Sequence, residues 1–150
     1  MSRESVAALA EALGSACTKL AAGSGPVATG RLIDAEVQLA DVDERLAQEL
    51  AGLGPFGQDN APPLLVTRNA RVTASRRVGD GSHVKLTLED DRSMTRSAIA
   101  FNLGPRVDEL GIEVGARLDL AFLPTVSTWQ GRRSAELEVQ DLALTQAPAA

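Results

Sequence analysis

Between Leu118 and Leu142 the chain reads LDLAFLPTVSTWQGRRSAELEVQDL. Leu118, Leu120 and Phe122 alternate with Asp119 and Ala121; further on, Ala135, Leu137 and Val139 alternate with Glu136, Glu138 and Gln140. A period of two sends successive side chains to opposite faces, so each arm has one apolar and one polar side. Two such arms joined by a short connection predict a half-buried antiparallel hairpin. The connection is Ser127–Gly131, with Gly131 available for a positive φ at the turn. Trp129, the only Trp in the chain, therefore falls at the hairpin tip, with Arg132 and Arg133 just after it. An exposed ring beside two guanidinium groups suits a planar, anionic ligand. The alternative is a ring folded back onto the body of the protein.

The stretch before the hairpin supplies partners for it. Asn69 to Val78 alternates, with Ala70, Val72 and Ala74 inward and Asn69, Arg71, Thr73, Ser75 and Arg77 outward. A Gly79–Ser82 turn leads to a second strand, with Val84, Leu86 and Leu88 inward and His83, Lys85 and Thr87 outward. Arg96 to Leu103 reads as a third strand, with Ile99 and Phe101 inward and Ala98, Ala100 and Asn102 on the other face. Gly104 to Leu110 follows as a short helix with Pro105 in its first turn. Three strands, a short helix and two more strands is the element order of the OB-fold, a five-stranded Greek-key barrel. In that fold ligands lie across strands two and three, flanked by the loops joining strands one to two and four to five. Those loops here are Gly79–Ser82, bordered by Arg76 and Arg77, and Val126–Gly131, which carries Trp129. The expected single-strand contacts are therefore Arg71, Arg76, Arg77, His83, Lys85, Asn102, Trp129, Arg132 and Arg133.

The first sixty residues read differently. Val6, Leu9, Ala10, Leu13, Cys17 and Leu20 form one face of an amphipathic helix over residues 4–22, ended by Gly23, Gly25 and Pro26. Leu32, Ala35, Val37 and Leu39 anchor a short extended stretch. Asp41 is placed to cap a second helix, with Glu44 three residues on as in a capping box and Leu46, Leu50 and Leu53 as its stripe. Gly54 to Pro63 is a linker, in which Phe56 is expected as a buried peg between the two parts. The expected fold is thus mainly β with an α-helical N-terminal appendage. Residues 1–60 form the helical segment and linker, 61–146 the OB barrel, and 147–150 a disordered tail.

Charge limits the affinity expected of such a barrel. The net charge is −5, but residues 61–150 hold equal numbers of acids and bases, so the acidity belongs to the first part. The bases are thirteen Arg against two Lys, and such a bias can arise from genome composition as well as from selected phosphate geometry. A single His leaves no converging set of Asp and His ligands for a metal, and no catalytic arrangement of a Ser or Cys nucleophile with it is apparent. His83 fits a hydrogen-bonding surface role, and Glu89, Asp90 and Asp91 a solvated strand end. One Cys excludes an internal disulfide, and Cys17 in an apolar pattern suits a buried thiol. Without a long apolar run or signal peptide, a cytoplasmic protein with no membrane contact is expected.

Four segments in order sharpen this reading. They are Leu53-Gly54-Pro55-Phe56-Gly57 with Asn60 and Pro63, then Gly79 and His83-Val84-Lys85-Leu86, then Ala98-Ile99-Ala100-Phe101-Asn102, then Gly131-Arg132-Arg133-Ser134 with Leu137, Asp141 and Leu142. Together they resemble the C-terminal region of the RecJ family, bacterial 5′–3′ exonucleases specific for single-stranded DNA. The likeness covers about residues 42–143, and the first helix resembles, more loosely, the tail of the family's DHHA1 domain. It implies a single-strand-gripping module of an enzyme of DNA repair and recombination. The family's Mn2+ or Mg2+ belongs to a DHH domain whose motifs this sequence lacks, so this chain alone is expected to hold no cofactor and no nuclease activity. The sequence then looks like an excised fragment or a stand-alone remnant. Two alternatives stay open: an interaction or structural domain docking on the DHH/DHHA1 core or another repair protein, and one piece of a split nuclease.

Overall fold

The computed structural model describes residues 30–146. In chain order they form β1 (Ala35–Glu36), a 3-10 turn at Leu39–Asp41, α1 (Glu44–Ala51), β2 (Leu65–Val78), β3 (His83–Glu89), β4 (Thr95–Ala100), α2 (Gly104–Glu109), β5 (Arg117–Trp129) and β6 (Arg132–Leu144). The helix expected over residues 4–22, with Cys17, and the tail 147–150 lie outside the described residues. Among the described residues no helix is long and apolar enough to cross a membrane.

The sheet runs β2-β3-β4-β6-β5 and closes through β2–β5 pairing, giving a five-stranded barrel with β1 added parallel to the start of β2. All barrel pairs are antiparallel except β4–β6, which is parallel, as a Greek key requires. The interior is made of alternate strand residues: Val72, Val84, Leu86, Leu88, Leu118, Leu120, Phe122 and Leu137 are at most 1% exposed. This interior needs little aromatic bulk, because a five-stranded barrel is narrow and branched aliphatic side chains fill it.

Each end of the barrel has its own plug. Where β3 begins and β4 ends, α2 covers the opening: Gly104 N–H donates to the Ser82 carbonyl at 2.8 Å, and Val107 enters the core. A Cβ on residue 104 would sit 2.7 Å from the Ser82 oxygen and 2.8 Å from that of Gly81, so only glycine permits this approach. At the other end Leu39 and Val42 are completely buried, and Arg96 at the start of β4 donates to the Val42 carbonyl at 2.5 Å. Residue 60 is consequently not a packing boundary, since Leu39 and Val42 share one core with the strands.

Several expected details shift for physical reasons. Asp43, not Asp41, caps α1, accepting from Leu46 N–H at 2.7 Å. The chain first makes a 3-10 turn in which Asp41 accepts from Gln38 N–H, which delays the helix by two residues. The extended stretch before it is strand only at Ala35–Glu36; Leu32 is exposed. On α1, Ala47 is buried and Leu46 and Leu50 half-buried, while Leu53 beyond it is exposed. β2 starts at Leu65 and carries a bulge at Thr73 that reverses its alternation, so Ala74 points out. The phase of β4 is also opposite to expectation. Ala98 and Ala100 lie across from Leu86 and Val84 and are fully buried, whereas Ile99 is half-buried and Phe101 exposed. Cross-strand partners share a face, and small residues fit opposite Leu and Val in a narrow barrel.

The linker is stitched rather than loose. Asn60 Nδ2 donates to the carbonyls of Leu53 (3.2 Å) and Pro55 (3.0 Å), and Gly57 pairs with Asn60. Phe56 is not the buried peg expected of it: it is 38% exposed, on the wall of an apolar hollow of about 400 Å³ shared with Leu50, Pro63 and Pro124.

Candidate nucleic-acid interface

Past a bulge between Ala121 and Phe122, the β5–β6 ladder keeps one register from Phe122↔Val139 to the pair Trp129↔Arg132. Only Gln130 (φ 49°) and Gly131 (φ 75°) form the turn. Two successive positive φ values make a tight two-residue turn matched to strand twist, which Gly131 eases. The expected loop over Val126–Gly131 is therefore strand up to Trp129, and the ring stands on a paired two-stranded arm with 75% of its surface exposed.

Register decides which basic residues share that surface. Trp129 faces Arg132, Ser127 faces Ser134, Thr125 faces Glu136 and Leu123 faces Glu138. On the adjoining strands Glu136 and Glu138 adjoin Ser97 and Ile99, which adjoin Thr87 and Lys85; Lys85 in turn faces Arg76. Because directly paired residues share a face, one continuous outer surface carries Trp129, Arg132, Ile99, Lys85 and Arg76. His83 extends it one row further, paired with Val78.

The other expected contacts are placed or occupied differently. Arg133 faces the opposite side, paired with Thr128, and its Nε lies 3.1 Å from Glu44 at the start of α1. The bulge turns Arg77 to the side of Val84, where its guanidinium binds the Gly81 carbonyl at 3.1 Å and the Asp108 carboxylate. Arg71 is engaged by Glu89 at 2.8 Å near the far end of the barrel. Lys85 is on the surface but 3.0 Å from Glu136. Asn102 sits in the turn after β4 with φ 57°, donating its N–H to His83 Nδ1 at 3.0 Å. Arg76 and Arg132 are the expected arginines that make no ion pair among the described residues, and they lie at opposite margins of the face. Glu136 and Glu138 lie between them, acids that the alternation of β6 already puts on the polar side.

The turn Gly79–Ser82 is pre-set. Asp80 accepts from the Ser82 N–H (3.0 Å) and hydroxyl (2.5 Å), which hold its carboxyl below the usual range. Phe101 is the residue that sequence reasoning misses. It is 50% exposed, its ring edge-on to His83 with centroids 5.4 Å apart and planes at 78°. The signal is present in β4, since counting alternation from Ala98 rather than Ile99 puts Phe101 outside.

A polar hollow of about 590 Å³ at the Leu39 end gathers Glu36, Asp41, Asp90 and Asp91 with Arg68 and Arg92. Glu36 is held by Arg68 (2.9 Å), Asp91 by Arg117 (3.1 Å), and Asp90 Oδ1 by the N–H groups of Arg92 and Met94. Among the described residues no group of three or more His, Cys, Asp or Glu is arranged to hold a metal ion.

A closed five-stranded Greek-key barrel with a helix between its third and fourth strands, and with an aromatic arm at the joint of its last two, defines an OB-fold domain. Residues 33–141 match the family model of the RecJ OB domain, and the chain belongs to that family. It is 26% identical over 115 residues to the single-stranded-DNA-specific exonuclease RecJ of Bacillus subtilis (strain 168), an alignment covering 76% of this chain and 14% of that protein. The crystal structure of RecJ in complex with Mn2+ from Thermus thermophilus superposes with a TM-score of 0.51 at 26% identity, covering 69% of this chain and 14% of that one. A putative aspartyl-tRNA synthetase from Leishmania major Friedlin gives a TM-score of 0.50 at 15% identity over 93% of this chain and 27% of its own, a likeness of fold alone. The chain thus spans about one seventh of the length of the RecJ proteins it matches.

Proposed function

We propose that this chain is the non-catalytic module with which a RecJ-type 5′–3′ exonuclease of DNA repair and recombination grips single-stranded DNA. The observation that carries this reading is the strand-paired arm that exposes Trp129, with Arg132, which makes no ion pair among the described residues, directly across from it. A base stacks on the indole while its phosphate meets the guanidinium, and both groups share the face that carries Lys85 and Arg76. Membership in the RecJ OB family supports the choice of single-stranded DNA over other planar anions. Metal-dependent hydrolysis belongs, on this reading, to parts of the parent enzyme that the described residues do not supply, and a cytoplasmic location goes with chromosomal substrates.

The surface itself keeps binding weak. Two arginines without an ion pair among the described residues and two acids on one face, in a chain of net charge −5, leave little phosphate attraction. The expected dissociation constant is on the order of micromolar or weaker at physiological salt. Fluorescence anisotropy with a labelled single strand and the matching duplex tests this. Preference for the single strand supports the reading, and equal or absent binding of both contradicts it. A docking role toward a nuclease core is favoured by a different observation, the apolar hollow beside Phe56, which a strand of DNA has no reason to fill.

A further inference from the structure

We propose a second stacking subsite on the same outer face, at the end remote from Trp129, in which Phe101 takes a base and Arg76 an adjacent phosphate. The subsite presupposes the single-strand module proposed for this chain and extends it to a residue outside the expected contacts. A Phe ring half out of the protein is costly to leave in water, and this one is also held still. His83 presents its ring to the edge of Phe101 at 5.4 Å and 78°. His83 is itself fixed, its Nδ1 accepting from the Asn102 N–H at 3.0 Å. Asn102 takes φ 57° immediately after the ring, and half of the Phe101 surface remains exposed. Such pre-organisation reduces the ordering cost of stacking.

The electrostatic surroundings fit a phosphodiester. Arg76 lies one row from His83 across the β2–β3 ladder, exposed and without an ion pair among the described residues. The acid nearest in sequence to His83, Asp80, is turned to Ser82, and Lys85 in the next row has already neutralised Glu136. This end of the face is therefore less repulsive to an anion than its centre, where Glu138 has no cation among the described residues. Because Ile99 is level with Glu138, Phe101 falls about eight residues along β6 from Arg132, roughly 26 Å at the rise of an extended strand. A single strand must be on the order of five or six nucleotides long to touch both rings, inside the usual span of one such barrel.

The experiment compares thymidine oligonucleotides of about four and about twelve residues on the parent chain and on Phe101→Ala, Phe101→Leu, Phe101→Trp and Trp129→Ala. The expected result is a loss of roughly 5- to 150-fold for Phe101→Ala and Phe101→Leu on the longer strand, with little change on the shorter one. Phe101→Trp should restore the longer-strand affinity. Trp129→Ala should weaken both. If Phe101→Leu holds the longer strand as the parent does while Trp129→Ala does not, the second subsite is overturned and the single-strand module stands. If the parent binds neither oligonucleotide, the module reading fails first and the subsite with it.

Discussion

Trp129 and Arg132 face each other across the last rung of the β5–β6 hairpin, on the same side of the sheet. Arg133, next in sequence, lies on the other side and is held by Glu44. The two arginines should therefore separate on mutation. Arg132→Ala is expected to weaken single-strand binding and to flatten its salt dependence by about 0.7 log unit for each phosphate it no longer neutralises. Arg133→Ala should leave the salt slope unchanged and cost no more than about 1 kcal/mol of stability, as an exposed ion pair does. Titrations at several salt concentrations, with a urea melt of each variant, check both.

Glu138 is in the middle of the outer face beside Ile99, with its carboxylate bonded to the Gln140 amide at 3.2 Å and to no cation among the described residues. A phosphate passing about 8 Å away is repelled by roughly 0.5 kcal/mol in a water-like medium, more where water is displaced. Glu138→Gln should raise affinity about two- to fivefold at low salt, and the gain should shrink as salt screens it. An unchanged affinity at low salt would mean that the strand avoids β6.

Acid should loosen the joint between β2 and β5. Burial pushes the Asp119 carboxyl up, but the Thr145 hydroxyl (2.7 Å), the Asn69 N–H (3.0 Å) and Arg68 (3.3 Å) outweigh it and hold the group below its ordinary value. The unfolded chain then takes up the proton before the folded one does. The stability Asp119 contributes is complete above the ordinary value of about 3.9 and is lost as pH falls through the lower folded value. Asp119→Asn should be less stable than the parent near neutral pH, and the two melting curves should converge at strongly acid pH. A difference that stays constant with pH would mean that the carboxylate's charge plays no part in holding the joint.

The order of strands, the short helix and the position of Trp129 are legible in the sequence, because period-two alternation and a Gly turn are local signals. Alternation fails where a bulge inserts a residue, as at Thr73, because the bulge depends on closing the barrel and not on nearby sequence. The phase of β4 is misjudged when weight is given to size: Ile99 and Phe101 are larger than Ala98 and Ala100, yet a narrow interior opposite Leu86 and Val84 takes the small ones. Partners of arginines are the least legible of all. Arg77 with Asp108 and Arg133 with Glu44 are pairs made across the fold, so a cluster of bases in sequence overstates the charge left free at the surface.

The emission of Trp129, the single Trp of the chain, tests most directly whether the hairpin tip grips a single strand. If it does, titration with single-stranded DNA quenches that emission saturably. Trp129→Ala then costs about 1–3 kcal/mol of binding with the salt slope nearly unchanged, because stacking releases few counterions. Emission that saturating single-stranded DNA leaves unaltered, together with a Trp129→Ala variant that binds as the parent does, would contradict it.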